Sequence, residues 1–133
     1  MGASRNTVND CLMRLSYRNS RNIKSFLRQW SGLESLSYRG DKVATCILAD
    51  LKTVTGIDIE IYDRDDRREF NEGYKKGKLT YHQYTSIAYT LVLGYTQEDV
   101  AWMMGVDQSV ISKNISSGIS RIQRELRAFE EDE

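Results

Sequence analysis

Between Leu79 and Phe129 the chain carries its own helix punctuation, and few folds can accept it. Thr80 followed by Gln83 is a capping box, in which a hydroxyl and an amide satisfy free N–H groups at a helix start. Tyr84, Ile87, Ala88, Leu91 and Val92 then recur at helical spacing as one buried face, and Gly94 stops the helix. Thr96 with Asp99 repeats the capping arrangement two residues later. Val100, Ala101, Met103 and Met104 are read as pointing inward on a short second helix that Gly105 terminates. Asp107 caps a third helix whose inward residues are Ile111, Ile115, Ile119, Ile122, Leu126 and Phe129. The chain has no proline, the residue that most often breaks helices. The expected class is therefore all-α.

The first part of the chain repeats the pattern less sharply. Val8, Cys11, Leu12 and Leu15 follow helical spacing, as do Ile23, Phe26, Leu27 and Trp30 after a polar break. Ser31-Gly32 is read as the end of that second helix, with a loop running to Gly40. Asp41 caps a third helix carrying Val43, Ile47, Leu48, Leu51 and Val54, with Gly56 at its C-cap. Residues 57–62 alternate apolar and polar as a short strand would, and 63–78 are dense in charge with only Phe70 and Tyr74 spaced to bury. The expected organisation is a basic helical segment over 1–56, a charged linker or short irregular segment over 57–78, and a helical domain over 79–133.

Composition excludes several functions. The chain is 40% hydrophobic and 29% charged, which is globular, and 19 basic residues balance 19 acidic ones. The balance is uneven along the chain: net +5 over residues 1–42, −1 over 43–78 and −4 over 79–133. No apolar stretch suits a membrane helix or a signal peptide, and Asn6 breaks a myristoylation pattern, so a cytoplasmic location and no membrane partner are expected. Cys11 and Cys46 are read as reduced, small core residues. With one histidine, His82, two thiols cannot build a closed zinc site, and Asp63, Asp65 and Asp66 lack the rest of a calcium loop. Gly73-Tyr74-Lys75-Lys76-Gly77-Lys78 misses the phosphate-loop spacing. No catalytic constellation, metal site or cofactor is expected, and the chain is read as no enzyme.

A short helix, a glycine turn and a longer capped helix form a helix-turn-helix pattern. Ala101 is small where the second helix crosses it, and Gly105 can take the left-handed conformation of the turn. Val106 plugs the corner, and Ile111 packs the longer helix back. On these residues, together with Leu79-Thr80-Tyr81-His82-Gln83, Tyr95 to Ala101, Ser109 to Ile115 and Ile119 to Leu126, residues 79–128 resemble region four of bacterial sigma factors and related small phage regulators. The resemblance implies double-stranded DNA as partner, read by the helix after Asp107. With the isoleucine stripe inward, Gln108, Ser109, Ser112 and Lys113 are the base-facing candidates, and Thr96, Gln97 and Ser116 the phosphate candidates.

The sequence also departs from that family. Lys113 is the only basic residue between Gln97 and Ser120, so the domain alone should hold DNA weakly. Homo-oligomerisation, the basic N-terminal third, or recruitment by RNA polymerase would each compensate. Trp102, outward on the short helix, is either a protein interface or packed on the N-terminal helices. Trp30 and the tyrosines Tyr81, Tyr84, Tyr89 and Tyr95 are read as core and rim packing. Two other readings compete with a sequence-specific transcription regulator of phage or prophage origin. One is a DNA-packaging factor like a small terminase subunit; the other is a sigma-mimicking protein that binds polymerase without touching DNA.

Overall fold

The computed structural model describes Tyr17 and residues 19–58 and 72–131, with side chains to residue 128. Six α-helices and no strand occur among them: α1 Ser20–Arg28, α2 Trp30–Tyr38, α3 Lys42–Thr55, α4 Tyr81–Ile87, α5 Gln97–Met104 and α6 Gln108–Glu131. A 3-10 turn, Gly73–Lys76, precedes α4, and α4 runs on into a π turn, Ala88–Val92. The chain is all-α, as its periodicity requires. None of the described helices is long and apolar enough to cross a membrane.

Side chains cap four of these helices at their starts. Asn19 Oδ1 accepts from the Arg21 amide at 2.8 Å and Asp41 Oδ1 from Ala44 at 3.0 Å. At α4 the box is reciprocal: Thr80 Oγ1 accepts from the Gln83 amide at 3.2 Å, and Gln83 Oε1 accepts from the Thr80 amide at 3.1 Å. Thr96 Oγ1 accepts from the Asp99 amide at 3.1 Å. Each such cap stabilises its helix by about 1 kcal/mol.

Four expectations change. The loop expected over residues 31–40 is the helix α2, with its break at Gln29 (φ −95°, ψ 20°). Trp30 and Leu33, one turn apart, are both buried against the neighbouring helices, and that burial outweighs the roughly 1 kcal/mol helix penalty of the exposed Gly32. Cys46 is a free thiol on the exposed face of α3, because the buried stripe there runs through Ala44, Ile47, Leu48 and Leu51. Met103 is also exposed, since α5 turns Val100 and Ala101 toward the core instead. Ile57 is fully buried and, like Asp58, is not in a strand. Residues 59–62, the stripe Val8, Cys11, Leu12 and Leu15, the acidic cluster Asp63, Asp65 and Asp66, Phe70 and the Phe129 side chain lie outside the described residues.

α6 is the strut of the molecule. α1, α3, α4 and α5 all pack on it, and its inward stripe of Ile111, Ile115, Ile119, Ile122 and Leu126 is buried along its length. Residues from α1–α3 (Ile23, Leu27, Leu51) and from α4–α6 (Tyr84, Ile87, Val100) belong to one contiguous apolar cluster. Gly118 lets α4 cross α6 closely: a Cβ there would collide with Ile87 Cδ1 and come within 3.3 Å of Gln83 Cβ.

Candidate nucleic-acid interface

The unit α5–turn–α6 is built from the inside outward. Val100 and Ala101 are buried, Ala101 at 6% exposure, so α5 lies tightly on its neighbours. Gly105 takes φ +69°, a left-handed conformation that costs a residue with a Cβ about 1–2 kcal/mol. Its N–H donates to the Trp102 carbonyl at 3.3 Å, and the Val106 N–H donates to the Ala101 carbonyl at 3.0 Å. Val106 is half-buried against the core and Ile111 fully buried, so the corner between the helices is closed by apolar contact. The Val110 amide donates to the Asp107 carbonyl at 3.0 Å as α6 begins.

With Ile111 inward, the first turns of α6 present Gln108, Ser109, Ser112 and Lys113 to solvent, and Ser116 follows them. These five form one exposed face, as the periodicity predicts. Thr96 is exposed and Gln97 half-buried at the start of α5. The Thr96 oxygen already serves the cap, which leaves its hydroxyl proton as the group it can offer a phosphate. Val110, 39% exposed among these polar residues, was not singled out from the sequence; it adds an apolar contact of the kind a thymine methyl accepts. Glu98, Asp99 and Asp107 are exposed nearby, and from Thr96 to Ser117 Lys113 is the only cation.

Gln83 ties this face to α4. Its Nε2 donates to Ser117 Oγ at 3.2 Å, and Ser117 Oγ donates to the Asn114 carbonyl at 3.2 Å. Neither this link nor Gly118 was visible in the sequence. The single sign was a glycine set inside an otherwise regular isoleucine stripe.

The other face of α5 is apolar. Trp102 is 86% exposed and Met103 47% exposed, so among the described residues Trp102 is not packed into the chain. Beside them a cleft of about 170 Å³ is lined by Tyr81, Thr85, Tyr89, Val100, Met103 and Met104. Tyr84 is buried, and burial raises its phenol above the ordinary tyrosine range. Trp30 is fully buried, its indole N–H donating to Glu34 Oε1 at 3.0 Å. Tyr89 and Tyr95 pair with ring centroids 5.9 Å apart, and Tyr74 packs on both Tyr81 and Tyr84. These are core and rim packing, as expected. Among the described residues no group of three or more His, Cys, Asp or Glu side chains is placed to hold a metal ion.

Comparison with known proteins finds no matching family model, no matching curated protein and no matching solved structure.

Proposed function

We propose that this chain is a sequence-specific double-stranded DNA-binding transcription regulator, of the small phage or prophage type, in which α5, the glycine turn and α6 act as a helix-turn-helix. The observation that carries the reading is the division of α6 across its first turns. Ile111 and Ile115 are buried beneath a left-handed Gly105 corner, while Gln108, Ser109, Ser112 and Lys113 stand exposed together. A helix fits the major groove, and side chains of its first two turns reach base edges there. Gln108 is suited to a bidentate pair with adenine, Lys113 to guanine acceptors or a phosphate, and Thr96, Gln97 and Ser116 to the flanking backbone.

Selection from a random-sequence duplex pool, at low and at physiological salt, tests this. A defined motif is expected, and Gln108→Ala should relax one position of it at a cost of about 1–3 kcal/mol. Lys113→Ala should weaken binding. Absence of enrichment at either salt overturns the reading.

A second reading draws on Trp102 and Met103. An exposed tryptophan beside methionine and a tyrosine-lined cleft has the composition of a protein-interface core. That favours a protein partner on α5, RNA polymerase or a second copy of the chain. Binding to polymerase lost in Trp102→Ala, with no DNA selection by the wild type, would leave the sigma-mimicking reading in its place.

A further inference from the structure

Lys113 is the one cation of α6 before Arg121, which raises the question of what neutralises phosphate beside its first turns. The glycine and lysine run Gly73 to Lys78 is no phosphate loop, yet its backbone is held firmly. The Gly56 and Gly73 backbones approach so closely that a Cβ on Gly73 would lie 2.5 Å from the Gly56 carbonyl oxygen. A Cβ on Gly77 would meet the Thr55 carbonyl carbon at the same distance. The Lys78 N–H donates to the Val54 carbonyl at 2.7 Å. Tyr74 is wedged edge-on against Tyr81, with centroids 5.2 Å apart, and tilted against Tyr84 at 6.2 Å. From this anchored turn Lys75, Lys76 and Lys78 all project as exposed side chains. None of the three is ion-paired among the described residues. Glu72, at the start of the turn, is the one acid within it among the described residues.

The turn leads into α4, and α4 is tied to α6 through Gln83. Gln83 bonds back to Thr80 through its Oε1 and across to Ser117 through its Nε2, so one side chain spans from the start of α4 to α6. Lys78 precedes Thr80 by two residues, at most about 7 Å of chain. Ser117 stands nine positions after Gln108, about 14 Å along the helix. A helix lying in a groove about 12 Å wide has left the base edges by then and meets the backbone at the groove margin.

We infer that Lys75, Lys76 and Lys78 form a phosphate-binding turn that grips the nucleic-acid backbone beside Ser116 and Ser117, adding to the single cation, Lys113, that the first turns of α6 carry. The inference rests on the DNA-binding reading above. Lysine is a point charge that needs no planar partner, so these contacts set register and affinity without reading sequence.

The test is the salt dependence of full-length chain binding to its selected duplex and to a random-sequence duplex. Four proteins are compared: wild type, the triple variant Lys75→Gln/Lys76→Gln/Lys78→Gln, the matching triple Lys→Arg variant, and a control that removes two exposed charges from α1, Arg21→Gln/Arg28→Gln. Thermal melting followed by circular dichroism verifies that each is folded. Loss of the turn should lower the slope of log K against log salt by about 0.9 per phosphate contact removed, on both duplexes alike, with the selected motif unchanged. The triple Lys→Arg variant should keep the wild-type slope. If the wild type binds and the lysine variant keeps its slope, or the α1 control loses as much, the lysine turn is overturned and the DNA reading stands. If the wild type binds no duplex even at low salt, the DNA reading falls and the turn's role with it.

Discussion

Tyr17 Oη donates to Asp50 Oδ2 at 2.6 Å, and its phenol is held well above the usual tyrosine value of 10.0, first by burial and then by that bond and the carboxylate's charge. Burial does the same to Tyr84, with the charges of Tyr89 and Asp58 as smaller contributors. In both, the folded state keeps a proton that the unfolded chain gives up above pH 10, so their stabilisation is complete below pH 10 and declines as pH rises beyond it. As far as these two tyrosines set it, the urea midpoint should therefore hold up to about pH 10 and fall between pH 10 and pH 11. Tyr84→Phe should flatten that fall, whatever it does to stability at pH 8; an unchanged slope would remove Tyr84 from the account. The residue scale is also where sequence reading stops at one level. The spacing identifies Gln108, Ser109, Ser112 and Lys113 as one face of a helix, but whether such a face meets solvent depends on what packs on the other side.

At the scale of elements, the caps at Thr80 and Thr96 and the stop at Gly105 were legible because the chemistry of a helix end is local. α2 was not. Gly32 looks like a terminator, and only the burial of Trp30 and Leu33 against other helices carries the helix through it. The crossing of α4 on α6 depends on Gly118 in the same way, through a contact between residues far apart in sequence. Gly118→Ala places a methyl against Ile87 and should destabilise by about 1–3 kcal/mol, despite alanine's better helix propensity. Ile87→Val, combined with it, should recover part of the loss beyond additivity in a double-mutant cycle. Thr80→Ala, which removes a cap and no core contact, should cost only about 1 kcal/mol in the same denaturation measurements.

Across the whole molecule, α6 connects the two halves. Leu51 and Ile23, far from the C-terminal helices in sequence, share one apolar cluster with Ile87, Val100 and Ile122. A chain with one core should unfold in one step. Leu51→Ala in α3 should lower stability by about 2–5 kcal/mol. It should also shift one common transition, seen alike by far-ultraviolet circular dichroism and by tryptophan fluorescence, which reports Trp30 in the core and Trp102 at the surface. Two separated transitions would show that α1–α3 melt apart from α4–α6.

What the sequence determined by itself was the class of the fold, the starts of α3 to α6 and the residues on the inner and outer faces of α6. All of these follow from hydrogen bonds and side-chain spacing within a few turns of one helix. Only the tertiary structure decided that Gly32 lies inside a helix, that Cys46, Trp102 and Met103 face solvent, and that the turn carrying Lys75, Lys76 and Lys78 is pinned against the end of α3. Each of these depends on a second surface. Whether a position is buried, and what stands beside it, is set by the element packed against it, which the local pattern does not contain.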